Sequence, residues 1–334
     1  VVSAGQIAWL GEGLQDLPPE LVEEEIDLDG LRVIPGLIDC HVHITGGGGE
    51  SGPESRVPPI PLSEFTRGGT TSVIGVLGTD DLTRSTASLV TATRALVEQG
   101  ISAWCMTGGY HLPPMTLTGS VRGDIALVDR IISVGEVAVS DHRSSQPTLD
   151  ELLRVASEAH VAGLMTGKAG IVHLHMGDGE RGLELVRRCL DSSEIPPRVF
   201  HPTHVNRKRA LFDEALALVK LGCSIDVTAF PVDDEKKDEL SAHQAYVEYM
   251  KAGLPPSQLT VSSDAGGSLP LFDADGRVAE MGVGRPSSLA DTLRSLIQAG
   301  HPWETVLPAF TSNVAELSRW PGKGRRAGGV AADL

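Results

Sequence analysis

The chain has 334 residues, 41% hydrophobic and 22% charged, enough for two average domains or one large α/β barrel with a sizeable core. Its 44 acidic against 28 basic residues leave a formal charge of −16, which argues against nucleic acid or an anionic membrane surface as partner, since both need clustered Lys and Arg. The cysteines, Cys40, Cys105, Cys189 and Cys223, form no C-x-x-C pair, and no apolar run reaches membrane-spanning length. No signal peptide is visible, so thiols in a cytoplasmic protein are expected.

In chain order, Val1 to Asp29 is Gly-rich and strand-like, and the segment from Gly322 is Gly-rich too. Residues 1–34 and 322–334 are predicted to form part of a small second β-domain. It is expected to be incomplete, because the sequence opens on Val1 and stops at "GVAADL". Between them, over residues 35–321, short β-rich apolar runs alternate with amphipathic stretches, the pattern of βα units around a parallel sheet. The runs are "LRVIPGLIDCHVHI", "TTSVIGVLG", "ISAWCMTGGYH", "EVAVSDHR", "AGIVHLHMGD", "RVFHPTHVN", "CSIDVTAF" and "LTVSSDAGG". Helices are predicted over "STASLVTATRALVEQG" and "TLDELLRVASEAHVAG", each closing on a Gly suited to a C-cap, and again at residues 210–221 and 287–300. Eight such units predict an α/β fold, a (β/α)8 TIM-type barrel whose active site is built at the C-terminal ends of the strands.

Polar residues gather at that end of each run: His41 and His43, Tyr110, Asp141 to Arg143, His175 with Asp178, His204 with Asn206, and Asp264. "HVH" on a strand carries its two imidazoles on one side, because strand side chains repeat every two residues. Such a pair can grip one cation of the zinc type, yet alone it is weak, since two hydrogen-bonded histidines satisfy the same pattern. Three further strand ends with His or Asp are harder to obtain from packing needs. His173 and His175 share a strand parity, so spacing alone leaves either as a ligand. Within "VGEVAVSDHRS", Glu136 interrupts an apolar run, and a buried carboxylate must lose its charge or find a cation.

The motif "PGLIDCHVHITGGGGESGP" resembles the first-strand signature of the amidohydrolase superfamily, metal-dependent hydrolases on a (β/α)8 barrel. Within it, "GVLGTD", "GGYHLP", "SDHRS", "HMGD", "PTHVNR" and "SSDAGGS" are similar to the isoaspartyl (β-aspartyl) dipeptidases, and the two chain ends to that family's small β-sandwich. The resemblance implies two divalent cations, most simply Zn2+, one on His41 and His43, the other on His175 and His204, with Asp264 on the first and acting as general base. It implies Tyr110 as donor to the developing oxyanion, and Glu50, Thr79, Arg143, Arg207 and Ser268 as substrate contacts. Glu50 would pair with the ammonium, and the two arginines would each clamp a carboxylate in bidentate fashion. A homo-oligomer, an octamer in the family, is also implied.

One position departs from the family. Its strand-four lysine, carboxylated by CO2 and bridging the metals, corresponds to Glu136, five residues before Asp141, and the first lysine of the chain is Lys168. A local carbamate is therefore excluded. Glu136 supplies the same two-oxygen anion on a shorter arm, stabilised by two cations; a structural glutamate paired with an arginine is the alternative. The expected activity is hydrolysis of the isopeptide bond of β-aspartyl dipeptides by a metal-bridging hydroxide, with Asp264 as general base and acid. Its rivals are an amidohydrolase acting on a cyclic amide or an N-acyl amino acid, and a barrel that binds without turnover.

Overall fold

The structure is a computed structural model that describes residues 1–12, 17–231, 238–272 and 278–334. A two-stranded hairpin, β1 (Val2–Ser3) and β2 (Gln6–Ile7), comes first. The eight apolar runs then become eight strands: β3 (Leu37–Val42), β4 (Thr70–Gly75), β5 (Ser102–Thr107), β6 (Ile131–Val139), β7 (Val172–Met176), β8 (Phe200–Thr203), β9 (Ile225–Thr228) and β10 (Leu259–Ser262). β3 to β8 form one parallel sheet in sequence order, and β9 and β10 a parallel pair. The ring closes where the His43 N–H donates to the Ala265 carbonyl at 2.8 Å, and between β8 and β9 the Thr203 hydroxyl donates to Asp226 at 2.7 Å. The result is the expected (β/α)8 barrel.

Around it lie α1 (Leu62–Arg67), α2 (Thr86–Glu98), α3 (Val121–Leu127), α4 (Leu149–Thr166), α5 (Glu184–Ser192), α6 (Arg209–Val219), α7 (Ala242–Lys251) and α8 (Ser287–Gln298), then the short α9 (Trp303–Val306) and α10 (Ser312–Leu317). Ser85, Thr148 and Ser241 open α2, α4 and α7 with reciprocal capping boxes, which satisfy otherwise unpaired helix-end amides. The apolar faces of these helices, Leu89 and Leu96 in α2 or Leu152 and Ala159 in α4, are buried in the continuous core with strand residues such as Val73 and Val172.

Two sequence expectations are corrected, and one hairpin is added. α4 does not end at Gly163 but runs on to Gly167, whose φ of 72° makes the left-handed cap. Gly163 is needed inside the helix, because a Cβ there would lie 2.7 Å from the Gly170 Cα. After β10 an antiparallel hairpin, β11 (Ser268–Phe272) with β12 (Val278–Val283), was not foreseen; Pro270 inside the first strand hides its pattern. Among the described residues of Val1 to Asp29, only β1, β2 and one turn of 3-10 helix (Pro19–Leu21) are regular. The two chain ends do meet: Ile7 and Val330, Gly329 and Ile7, and Gly5 and Ala332 are joined by backbone hydrogen bonds of 2.8 to 2.9 Å.

Candidate active site

The strand period aims His41 and His43 into the C-terminal mouth of the barrel, their ring centroids 5.3 Å apart. Glu136, 1% exposed, lies at the centre of the site. Its Oε1 is 3.3 Å from His43 Nε2, and its Oε2 is 3.0 Å from His175 Nδ1 and 3.5 Å from both His41 Nε2 and His204 Nε2. The alternative of a structural glutamate on an arginine finds no support: its partners are four imidazoles.

The ladder is irregular beside Glu136. β6 pairs with β7 at Val134–Val172 and next at Val137–Leu174, so β6 spends one extra residue between these pairs. Such a bulge re-aims a side chain, and bulges are over-represented beside active sites. It falls on Gly135 and Glu136. Gly135 has φ of 149° and permits the close approach of β7, since a Cβ there would lie 2.7 Å from the His173 carbonyl oxygen. His204 and Asp264, each just beyond its strand, sit in the left-handed region at φ of 60° and 51°, a conformation His and Asp adopt more readily than most residues.

Two groups of ligand atoms converge within 4.8 Å: His41, Glu136 and His204, and His41, His43 and Asp264. Asp264 Oδ1 is 3.1 Å from His43 Nε2, yet both Asp264 Oδ1 and His41 Nε2 are buried without a hydrogen-bond partner. Leaving such atoms unsatisfied costs about 1–3 kcal/mol each, more for charged groups, which a cation placed between them would remove. The donor set of imidazole nitrogens and carboxylates therefore fits a first-row divalent cation. Without a cation, burial works against the charge on His43, but the neighbouring carboxylates prevail and push it up to about 9. For Glu136 burial raises the carboxyl, and the facing histidines override it, holding it well below the usual range.

His175 reaches Glu136 but joins neither group. Its Nε2 is 3.1 Å from Asp141 Oδ2, and the Tyr110 hydroxyl is 2.8 Å from its Nδ1. Asp141 also holds Arg143, with Nε to Oδ1 at 3.0 Å and Nη2 to Oδ2 at 2.7 Å. The bidentate edge of Arg143, expected to face a substrate carboxylate, is thus on Asp141, leaving Nη1 toward Glu50 at 3.7 Å. Sequence reasoning did not assign Asp141 a role, although it stands in the quoted "SDHRS".

A cavity of about 390 Å³ opens on this cluster, lined by His43, Thr79, Tyr110, Glu136, Arg143, His175, His204, Arg207, Asp264 and Ser268 among others. Glu50 lies behind Ser268, whose hydroxyl donates to its Oε1, while its buried Oε2 has no partner. His173 and His201 are on the inward faces below the site, 2.9 Å apart, and His173 Nε2 is 2.7 Å from His41 Nδ1. His173 thus meets the ring nitrogen of His41 that faces away from Glu136.

No family model matches the chain. A β-aspartyl dipeptidase from Fervidobacterium islandicum AW-1, crystallised with β-Asp-Leu dipeptide, is 43% identical, with 90% of this chain and 78% of that one covered and a TM-score of 0.84. A second structure of a β-aspartyl dipeptidase from that organism is 40% identical over 98% of this chain and 84% of that one, at a TM-score of 0.87. The chain belongs to the β-aspartyl dipeptidase family. N-acetylglucosamine-6-phosphate deacetylase from Pasteurella multocida, 14% identical at a TM-score of 0.62, shares the fold. Imidazolonepropionase of Pseudomonas entomophila matches more narrowly, 35% identical over 115 residues, which are 34% of this chain and 28% of that protein. Set within the β-aspartyl dipeptidase family, the position of Glu136 is the chemical question the chain raises. Among the described residues no helix is long and apolar enough to cross a membrane.

Proposed function

We propose that the protein is a metal-dependent hydrolase of the isopeptide bond in β-aspartyl dipeptides. The observation that carries this reading is the convergence of His41, His43 and His204 on the buried Glu136, with Asp264 against His41 and His43, at the mouth of the barrel of a chain 43% identical to a dipeptidase crystallised with β-Asp-Leu. His41, His43 and Asp264 would hold one cation and His204 with Glu136 the other, to which the family resemblance would add His175, whose nitrogens face Glu136 and Asp141 here. Glu136 would serve both, and nitrogen-rich ligation suits Zn2+. Bound there, divalent cations supply Lewis acidity for the amide carbonyl and lower the pKa of water.

The chain's own residues do the rest. Burial opposes ionisation of Asp264, but the histidines around it keep its carboxyl well below the usual range, so it is present as the carboxylate. It accepts the proton of the attacking water and returns it to the departing amine. Burial, helped by the Glu136 charge, raises the Tyr110 phenol well above its ordinary value, so it stays an O–H donor, suited to the oxyanion. Glu50 Oε2, unpartnered and oriented by Ser268, receives the substrate ammonium. Arg207 and Arg143, whose Nη1 faces Glu50 rather than Asp141, meet the two carboxylates, and Thr79 lines the same wall.

Hydrolysis of β-Asp-Leu, α-Asp-Leu, N-acetyl-leucine and a cyclic amide by the zinc-supplied chain tests this. Turnover of β-Asp-Leu in clear preference to the other three is expected. Preference for the cyclic amide or the acyl amino acid, or two bound cations with no turnover of any β-aspartyl dipeptide, would refute it. Homo-oligomerisation, as the family resemblance implies, is read from light scattering on the same sample.

A further inference from the structure

Below the site a line of buried polar groups crosses the barrel interior, where aliphatic layers are the rule. His41 Nδ1 is 2.7 Å from His173 Nε2, and His173 Nδ1 is 2.9 Å from His201 Nδ1. His201 Nε2 is 3.2 Å from Thr260 Oγ1, whose hydroxyl donates to Asp226 Oδ1 at 2.6 Å. Five strands contribute: β3, β7, β8, β9 and β10. Every one of these side chains is 0 or 1% exposed, so no water competes for their hydrogen bonds.

The far end decides the direction. Asp226 receives Thr260 and the Cys40 thiol on Oδ1, the latter at 3.3 Å, and Thr203 and Ser262 on Oδ2, at 2.7 and 2.6 Å. Four donors and no acceptor make it the sink of the line. Thr260 gives its only proton to Asp226, so toward His201 it can only accept, and His201 must carry its proton on Nε2. A neutral imidazole protonated on Nε2 has a bare Nδ1, which accepts from His173 Nδ1–H. His173 is then bare at Nε2 and accepts from His41 Nδ1–H. Each of these short N···N contacts holds a single proton, so each inner histidine is bare on one nitrogen. The reverse direction would require a protonated Asp226 and would direct an N–H of His41 at the site.

We propose that His173 is a positioning residue for His41: a one-way chain of protons ending on Asp226 fixes His41 with its proton on Nδ1 and dedicates Nε2 to cation binding. This rests on the reading of His41 as a cation ligand. Neighbours of this kind typically change metal affinity 10- to 100-fold when removed.

The test combines two readouts on the full chain. Magic-angle-spinning NMR of 15N-histidine-labelled protein, with and without zinc, is expected to find His41 and His173 protonated at Nδ1 and His201 at Nε2. Zinc affinity, by competition with a chromophoric chelator, should fall about 10- to 100-fold in His173→Leu. His173→Gln should stay within about threefold of wild type, because its amide can both accept from His41 and donate to His201. Should His173→Leu not fold, Thr260→Val cuts the same line further out and should leave His201 and His173 as mixed tautomers. A His41 bare at Nδ1, or equal zinc affinity in the Leu and Gln variants, overturns the proposal. A wild-type chain that takes up no zinc removes the cation reading, while the tautomers of His173 and His201 on that sample still decide the direction of the line.

Discussion

Glu136→Gln keeps the volume and shape of the side chain at the centre of the site and removes its charge. Four imidazole nitrogens lie 3.0 to 3.5 Å from the carboxylate oxygens, so the charge is not carried by any single partner. Removing one partner of a buried charge pair costs about 3–5 kcal/mol. At about 1.4 kcal/mol per factor of ten, that is a loss of between about 10²-fold and several thousand-fold in cation affinity. Part of it is masked at neutral pH. In the metal-free wild type His43 is held up to about 9 by Asp264 and Glu136, so a cation arriving at pH 7 must displace a proton. With Gln that competition weakens, and the ratio of wild-type to variant affinity should therefore grow between pH 7 and pH 9. Zinc competition titrations at both pH values, with metal analysis of the dialysed protein, measure it. A variant with wild-type stoichiometry and affinity within threefold at pH 9 would refute the reasoning, leaving Glu136 a structural residue.

The other predictions concern separate parts of the site. Reconstitution with zinc should be indifferent to bicarbonate, because a glutamate needs no CO2; higher activity in bicarbonate-saturated buffer than in degassed buffer would count against it. Tyr110→Phe should lower kcat about 10²- to 10³-fold on β-Asp-Leu with little change in KM, as for loss of one oxyanion donor; an unchanged kcat in steady-state assays removes Tyr110 from the reaction. His201, lowered by burial to about 3 against an unfolded value near 6.5, contributes no pH dependence above 6.5 and costs stability as pH falls from there toward 3, where only the unfolded chain takes the proton. His201→Leu should therefore lose about 2 kcal/mol less stability than wild type between pH 6.5 and pH 5 in urea unfolding of the metal-free protein. Equal losses would show that His201 is protonated in the fold.

The barrel was legible because each strand is an apolar run of the right length followed by a helical period, and the βα alternation has few other solutions. The candidate site was legible for a related reason: His41, His43, His204 and Asp264 stand at or just beyond strand ends, where chain direction alone brings them to one mouth. What was not legible depends on pairing between distant segments. The extra residue of β6 at Gly135 and Glu136 exists only relative to β7. Arg143 looked available until Asp141, two residues away, proved to occupy its fork. His173 could not be told from His175 by parity, since the two stand two residues apart on β7, and His201 pairs with His173 one strand over. Their depth, set by how the strands stagger, separates them from His175 and His204.

A crystal structure of the zinc-loaded chain, with anomalous data at the zinc edge, tests the central claim most directly. Two anomalous peaks are expected at the mouth of the barrel, with the Glu136 carboxylate between them and one oxygen toward each. Two well-occupied peaks with Glu136 turned away, or bridged by any other group, would contradict the account.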